Sequence, residues 1–308
     1  MTVTDRFAAG VDGGGTRTTV ECRSLDGTVL CREVFGPFNL NSVGEERFAA
    51  LLEEIAGFLR KTGVCKALCI GAAGVSNPRV RELTARAMDG LCHWRLTGDH
   101  EIALHGALSG RPGIALIAGT GSICCGKNER GRFVRAGGWG HLIDDGGSGY
   151  ALGRDALSAV VRQWDGRGEE TVLSRLVPEF LRVDTPQELI AYIYGGDKSR
   201  IAALAPLVER AAEAGDRTAL AVYTKNGAAL GELVLAAAKR LEMQAGEVAL
   251  LGGLLTRDLR LRGALAAFLA ERAPGLRCVE PRQDAAAGAA MLALDLAANA
   301  HTAPAGTL

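Results

Sequence analysis

The chain lacks a net charge, since 35 lysine and arginine residues balance 35 aspartate and glutamate residues among its 308 residues. Without a basic excess it has no general attraction for nucleic acid, and no polybasic run favours a membrane surface. No segment reaches the ~18 uncharged apolar residues that a membrane-spanning helix needs. The first residues, Met1–Arg6, lack the basic and then apolar pattern of a signal peptide. These absences predict a cytoplasmic protein with no nucleic-acid or membrane partner.

The eight cysteines include no Cys-x-x-Cys pair, and Cys65 and Cys69 have no further cysteine or histidine at metal-binding spacing. Several cysteines lie in apolar, strand-like segments, where a thiol behaves as a small hydrophobic group. We therefore expect reduced, structural thiols, in agreement with a cytoplasmic location.

The better-known nucleotide-binding loops are absent as well. There is no Gly-x-x-x-x-Gly-Lys-Ser/Thr sequence, which argues against a Walker P-loop. The first glycine-rich turn is followed by β-prone residues rather than by a helix, which argues against a dinucleotide-binding turn. The chain has instead two glycine-rich turns, each between two strand-like segments: Asp12-Gly13-Gly14-Gly15-Thr16 and Gly119-Thr120-Gly121-Ser122.

Consecutive glycines leave backbone N–H groups uncovered and allow φ > 0, so either turn could wrap an anion such as a phosphate group. Asp12 could hold Mg²⁺ through water, and Thr16 adds a hydroxyl. A plain β-hairpin turn is the alternative for a single glycine-rich turn. The occurrence of a second, similar turn favours phosphate binding.

The length suits two domains, which we place at residues 1–110 and 111–308. Periodicity predicts the following elements in the first half: strands near 6–12, 17–23, 28–34, 67–71 and 94–97, and helices near 44–60, 78–88 and 100–108. It predicts in the second half strands near 114–118, 123–126, 133–136, 248–251 and 277–279, a helical region at 149–243, and helices near 257–272 and 284–298. Each half thus begins with three strands, and the glycine-rich turn joins the first two.

Seven short motifs occur along the chain in a characteristic order. They are Asp12-Gly13-Gly14-Gly15-Thr16-Arg17-Thr18, Gly36-Pro37-Phe38-Asn39-Leu40-Asn41, Gly71-Ala72-Ala73-Gly74, Gly98-Asp99-His100-Glu101-Ile102-Ala103, Gly119-Thr120-Gly121-Ser122, Gly137-Gly138-Trp139-Gly140-His141 and Leu251-Gly252-Gly253. With these motifs the chain resembles the N-acetylglucosamine kinases and the wider BadF/BadG/BcrA/BcrD ATPase family over essentially its whole length.

The resemblance implies an α/β protein with a two-domain, duplicated ribonuclease H-like (actin-like ATPase) fold and an interdomain nucleotide cleft. It implies an ATP- and Mg²⁺-dependent kinase acting on the primary hydroxyl of an amino sugar, with N-acetylglucosamine as the first expectation. The partner is then a small-molecule sugar, and a homodimer is allowed.

The resemblance also implies roles for individual residues. ATP would be bound by Asp12, Gly13, Gly14, Gly15, Thr16, Gly119, Thr120, Gly121, Gly252 and Gly253, with the last two approaching the adenosine. The sugar would be bound by Asn39, Asp99, Ser122, Gly138, Trp139, Gly140 and Asp145. Glycines beside Trp139 permit close approach, and its aromatic face suits the C–H face of a sugar ring.

Asp99 follows a short strand and opens a helix, so its carboxylate could take a proton from the sugar hydroxyl that attacks the γ-phosphoryl group. The alternative is a helix N-cap, which is worth ~1 kcal/mol.

The chain departs from the family after the Trp-Gly-His motif, where its relatives usually read Gly-Asp-Glu-Gly-Ser. Asp144 stands in place of a glycine and Gly146 in place of the glutamate. Asp144 could replace the missing sugar contact, or it could pair with the ammonium group of glucosamine, so glucosamine remains an alternative substrate.

Two further functions stay open. One is the iron–sulfur activator ATPase of 2-hydroxyacyl-CoA dehydratases, although Cys124 and Cys125 are adjacent on a predicted strand and therefore point to opposite faces. The other is a nucleotide-binding sensor without transfer chemistry.

Overall fold

A computed structural model describes residues 6–300 of the chain. It divides into two compact units. Of the described residues, unit 1 contains those up to Arg111 and those from Pro281 onward, and unit 2 contains Pro112–Glu280. The first five residues belong to the segment in which the sequence predicts no signal peptide, and they lie outside the described part of the chain.

Unit 1 is built on a five-stranded mixed sheet with the order β3-β2-β1-β4-β5. Its strands are β1 (Arg6–Gly13), β2 (Thr18–Ser24), β3 (Val29–Phe35), β4 (Val64–Ala72) and β5 (His93–Thr97). Its first helices are α1 (Leu40–Val43), α2 (Glu45–Thr62), α3 (Pro78–Met88) and α4 (Asp99–Leu108). β1 pairs antiparallel with β2 and parallel with β4, so it is the central strand.

Unit 2 repeats this plan, because its sheet has the order β10-β9-β6-β7-β8. Its strands are β6 (Gly113–Ala118), β7 (Ser122–Lys127), β8 (Phe133–Gly137), β9 (Gly246–Leu251) and β10 (Leu276–Val279). Its helices are α5 (Gly149–Trp164), α6 (Leu173–Leu181), α7 (Pro186–Tyr194), α8 (Lys198–Ala202), α9 (Ala205–Glu213), α10 (Arg217–Leu241), α11 (Gly253–Arg257) and α12 (Leu259–Arg272). Read from β8, this order matches that of unit 1, so the duplicated α/β fold is confirmed.

The residues of each element explain why it forms. In β1 the positions Phe7–Val11 are all buried, as expected of a central strand covered on both faces. Helix α2 buries Phe48, Leu52 and Ile55 along one stripe. Its first turn carries glutamates and its last turn carries Arg60 and Lys61, an arrangement that complements the helix dipole.

The last helix, α13 (Ala285–Ala300), corrects the expected domain limits. We expected residues 111–308 to form one domain, but α13 packs on β1, β4 and α4 and so belongs to unit 1. The reason is close backbone contact through glycines. A Cβ added to Gly10 of β1 would lie 1.9 Å from the backbone nitrogen of Ala290, and one added to Gly288 would lie 2.0 Å from the carbonyl oxygen of Ile102. Only glycine leaves room for this contact.

All eight cysteines are free thiols. Burial raises the pKa of Cys69 to about 12, so this thiol stays protonated at neutral pH. Within residues 6–300 no helix combines the length and the apolar character needed to cross a membrane.

The contact of α13 with α4 yields a stability prediction. Gly288→Ala should lower the free energy of unfolding by ~1–3 kcal/mol, because the added methyl group meets the backbone of α4. Gly57→Ala in α2 is the matched control, since a Cβ there meets nothing within 4 Å. Helix propensity alone favours alanine by ~1 kcal/mol at both positions. Urea unfolding of the full chain, followed by circular dichroism, measures both; a stable Gly288→Ala variant would contradict the close packing.

Candidate active site

The first glycine-rich turn joins β1 to β2 as a hairpin. Gly13 pairs with Thr18, and the N–H of Gly14 donates to the carbonyl of Arg17 at 3.0 Å. None of the three glycines adopts a positive φ, so the conformational freedom that their sequence allows is not used. Any requirement for glycine here must therefore come from the absence of a side chain.

The space left by the absent side chain differs among the three glycines. A Cβ on Gly13 would lie 2.8 Å from the ring of Phe38, and one on Gly14 would lie 2.7 Å from a carbonyl oxygen of the same turn. A Cβ on Gly15 would meet nothing within 4 Å. The protein itself therefore requires Gly13 and Gly14, whereas Gly15 and the exposed Thr16 form an open tip that could receive a phosphate group.

The segment that carries Asn39 is tied to this turn. The N–H of Phe38 donates to the carbonyl of Gly14 at 2.9 Å, and the hydroxyl of Thr18 donates to the carbonyl of Gly36 at 2.6 Å. Asn39 is exposed and caps the short helix α1, since its side-chain oxygen accepts from the N–H of residue 41. The cap leaves the amide nitrogen of Asn39 able to donate to a ligand.

Asp99 is the first residue of α4, and Gly98 is the N-cap. The N-cap alternative for Asp99 is therefore wrong. Its Oδ1 accepts from the N–H of His100 at 2.8 Å and lies 3.3 Å from Nδ1 of the same residue. The hydrogen bond with the His100 side chain is the main cause that lowers the pKa of Asp99 below its ordinary value of 3.8. The carboxylate is thus ionised at neutral pH, and its side chain is 56% exposed.

Asp12 at the end of β1 has the opposite shift. Burial raises its pKa, and the nearby negative charges of Asp284 and Asp99 raise it further. Among the described residues no hydrogen bond or ion pair engages the Asp12 carboxylate, whereas both oxygens of Asp284 accept from Arg32 at 2.6 Å. This excess of negative charge fits a divalent cation.

The residues also indicate how such a cation would be held. In the described part of the chain no three His, Cys, Asp or Glu side chains are placed to enclose a metal ion. Mg²⁺ typically keeps several waters and uses one or two carboxylates together with substrate phosphates. Asp12 therefore fits a water-mediated Mg²⁺ contact and not a closed metal cage.

The second glycine-rich turn joins β6 to β7. The N–H of Gly119 donates to the carbonyl of Gly121 at 2.9 Å, and the first residue of α5, Gly149, donates to the carbonyl of Gly119 at 2.8 Å. A Cβ on Gly121 would lie 2.9 Å from a carboxylate oxygen of Asp145, whereas one on Gly119 would meet nothing within 4 Å. Gly119 and the exposed Thr120 thus form a second open tip.

A cavity of about 490 Å³ in unit 2 adjoins this tip. The predicted residues Gly119, Thr120 and Gly253 line it. Further lining residues were not predicted from the sequence: Gly149, Ser199, Ala202, Ala203, Ala205, Pro206, Glu209, Leu254, Arg257 and Asp258. Many of these belong to α8 and α9, which lie in a long helical region without any motif, so no sequence signal could have indicated them.

The two glycines after β9 have different roles. Gly252 has φ 87°, and a Cβ there would lie 2.3 Å from the carbonyl oxygen of Ala118. Contact with β6 therefore explains Gly252, and a collision with adenosine is not needed to account for it. A Cβ on Gly253 would meet nothing within 4 Å, so this position opens onto the cavity.

Ser122 and Asp145, expected to contact the sugar, are both buried. Asp145 Oδ1 accepts from the N–H of Ser122 at 3.3 Å, and the hydroxyl of Ser122 donates to the carbonyl of Gly146 at 2.8 Å. These contacts join β7 to the loop of residues 138–148, named the tryptophan loop here. In this structure the two side chains therefore support the loop.

Trp139 is 67% exposed at the tip of the tryptophan loop. Gly138 and Gly140 have φ of 71° and 96°, so the loop needs glycine on both sides of the indole. Near the base, a Cβ on Gly146 would lie 3.0 Å from Cβ of Ala229. A glutamate at this position would therefore require Ala229 to shift, which gives a structural reason for the departure from the family pattern.

Comparisons with known proteins identify the family of the chain. The BadF/BadG/BcrA/BcrD ATPase family matches residues 9–293, and the chain belongs to this family. It is 35% identical to the N-acetylmuramic acid/N-acetylglucosamine kinase of Clostridium acetobutylicum, over 94% of this chain and 98% of that protein. The predicted class, an ATP-dependent sugar kinase, is confirmed by these relatives.

Solved structures agree as well. One from Chromobacterium violaceum, provisionally assigned as an N-acetylglucosamine kinase, has a TM-score of 0.73 at 32% identity and covers 94% of this chain and 99% of its own. A glucokinase of the ROK family from Streptomyces griseus, 20% identical, has a TM-score of 0.55 over 95% of this chain and 99% of its own, which shows the shared fold.

The open space at Gly253 yields a binding prediction. Gly253→Ala should raise the Kd for ATP at least ~5-fold, or about 1 kcal/mol, because the new methyl group enters the cavity and touches only the ligand. Gly263→Ala in α12 is the matched control, since a Cβ there also meets nothing within 4 Å. Titration calorimetry measures both affinities. Equal ATP affinity in the two variants would mean that the nucleotide does not bind at Gly253.

Proposed function

We propose that the chain transfers the γ-phosphoryl group of ATP to a primary hydroxyl of an amino sugar, with N-acetylglucosamine as the first substrate to test. The observation that carries the proposal is the ionised, half-exposed carboxylate of Asp99 at the start of α4 in unit 1. This carboxylate lies close enough to Asp12 to contribute to the raised pKa of Asp12. The relative from Clostridium acetobutylicum, an N-acetylmuramic acid/N-acetylglucosamine kinase by name, supports the substrate class. ATP as the phosphoryl donor favours a cytoplasmic reaction.

In the proposed reaction Asp99 accepts a hydrogen bond from the attacking hydroxyl and orients it. The oxygen of the hydroxyl forms a bond to the γ-phosphorus, the bond between that phosphorus and the β–γ bridging oxygen breaks, and the hydroxyl proton moves to Asp99. A carboxylate with a lowered pKa is a weak base. This suffices in a loose transition state, where the hydroxyl becomes acidic only as the new bond forms.

Two open tips and one cavity are the candidates for phosphate and nucleotide contacts in this proposal. In unit 1 the open tip at Gly15 and Thr16 offers backbone N–H groups and a hydroxyl. In unit 2 the tip at Gly119 and Thr120 does the same, and the adjoining cavity has room for adenosine beside Gly253. Asp12 would hold Mg²⁺ through water, and bound Mg²⁺ would neutralise phosphate charge.

The iron–sulfur activator is disfavoured by the position of its candidate ligands. Cys124 and Cys125 lie in the interior of β7, and neither is exposed to solvent. Burial raises the pKa of Cys124 far above its ordinary value, so the thiolate that binds iron is suppressed. The nucleotide-binding sensor differs from the kinase only in lacking transfer, and an activity assay distinguishes them.

Asp99→Asn should lower kcat for sugar phosphorylation at least ~100-fold, since the amide cannot take the proton. The Kd for ATP should change less than ~2-fold, because the proposal gives Asp99 no nucleotide contact. Asp89→Asn is the control: this carboxylate also belongs to unit 1, but it accepts from the indole N–H of Trp94 at 2.8 Å and should leave kcat unchanged.

An assay of ADP release with N-acetylglucosamine, glucosamine, N-acetylmuramic acid and glucose measures kcat, and calorimetry measures ATP binding. Near-normal kcat in Asp99→Asn would exclude this residue as the base. A wild-type protein that binds ATP but phosphorylates none of the four sugars would support the sensor instead.

A further inference from the structure

Arg135 on β8 is placed beside the tryptophan loop in an unusual way. Its guanidinium carbon lies 4.6 Å from the centroid of the Trp139 ring, within the range of a cation–π contact. Among residues 6–300 no carboxylate forms an ion pair with Arg135, whereas Arg23 and Arg32 of unit 1 both pair with Glu21. The positive charge of Arg135 is therefore fixed on an exposed aromatic ring without a counterion.

The contact with Trp139 leaves N–H donors of the Arg135 guanidinium available to an anion, because a π face accepts no more than part of the group's donor capacity. A guanidinium has five N–H donors in a planar fork, and two of them match the two oxygens of a carboxylate. The neighbourhood adds positive charge, because Arg240 donates to the carbonyl of Arg135 at 2.6 Å. Asp144, the acidic residue of the same loop, lies beside Gly137 and makes no ion pair with Arg135 in the described structure.

We propose that Arg135 is a specificity-determining residue that binds a carboxylate carried by the sugar substrate. This inference rests on the proposed function, since it requires the sugar to contact the tryptophan loop. The C–H face of the sugar ring would lie on the face of Trp139 that Arg135 does not cover. A carboxylate on a short ether substituent would then extend past the edge of the indole to the guanidinium donors of Arg135.

N-Acetylmuramic acid and N-acetylglucosamine form a matched pair of probes, because the first is the second with an ether-linked carboxylate arm. Arg135→Met, which keeps an apolar stem on the indole, should lower kcat/KM for N-acetylmuramic acid at least ~20-fold, mainly through KM. The same variant should change kcat/KM for N-acetylglucosamine less than ~3-fold. Arg135→Lys should be intermediate, since it keeps the charge but loses the two-pronged geometry.

Arg132→Met is the control, since this exposed arginine just before β8 lies 3.7 Å from a carboxylate oxygen of Glu242 and should affect neither sugar. Equal losses for both sugars in Arg135→Met would overturn the inference, because they would show a general effect on the loop. A wild-type enzyme that phosphorylates N-acetylglucosamine but not N-acetylmuramic acid would overturn it too, while leaving the proposed function intact.

If the wild-type protein phosphorylates no sugar, the proposed function fails and calorimetry decides the inference separately. Binding of N-acetylmuramic acid that weakens at least ~10-fold in Arg135→Met would still support it. Equal binding in the two proteins, or no binding to either, would overturn it.

Discussion

The backbone of α13 lies directly against the backbones of β1 and α4, and the arrangement of unit 1 depends on this contact. Glycines on three elements make it possible, because a Cβ on Gly10, Gly106 or Gly288 would lie within 2.0 Å of a facing backbone atom, which for Gly106 is the carbonyl oxygen of Asp284 just before α13. No side chain separates the backbones at these three points, so α13 cannot shift toward β1 or α4 without a backbone collision. It also brings the start of α13 to the end of α4, because the carbonyl of Asp284 faces Gly106.

In this packing the carboxylates of Asp99 and Asp284 lie close enough to Asp12 to raise its pKa. Burial tends to raise the pKa of Asp284, but the hydrogen bond with Arg32 and the N–H of Ala287 outweigh it and the net shift is downward. Asp99 is likewise kept ionised, chiefly through its hydrogen bond with His100. Asp12 is half-buried beside these two negative charges, so its own pKa rises. A cation at Asp12 would reduce this repulsion, so the packing of α13 contributes to the negative charge on which the proposed Mg²⁺ contact depends.

The sequence predicted most helices and strands because their signals are local. Apolar runs such as Phe7–Val11 and the stripe along α2 need no knowledge of the rest of the chain. The unit to which α13 belongs could not be predicted in this way, since an alanine-rich helix packs equally well on either sheet until its glycine contacts are known. The short helix α1 was missed for a related reason, because its four residues are too few for a periodic pattern.

The candidate site was predicted only in part, and the limit was physical as well. Motifs indicated Asp12, Asp99 and both glycine-rich turns, because such residues are tied to specific chemistry. They could not indicate that Ser122 and Asp145 contact each other inside the protein. The motifs also gave no indication that α8 and α9 line the cavity. The apolar pattern of these two helices shows only which of their faces is buried.

The glycines of the motifs separate into two groups once the surrounding atoms are known. Gly13, Gly121 and Gly252 lack a side chain because the protein occupies the space where a Cβ would lie. Gly15, Gly119 and Gly253 face open space, and none of the three has a positive φ, so neither folding nor backbone conformation requires glycine there. No atom of the protein lies within 4 Å of a Cβ at these three positions. Ligand binding beside these positions would account for glycine there. This explanation depends on their place in the two glycine-rich turns and in the cavity wall, because Gly57 and Gly263 also face open space but lie in no such motif.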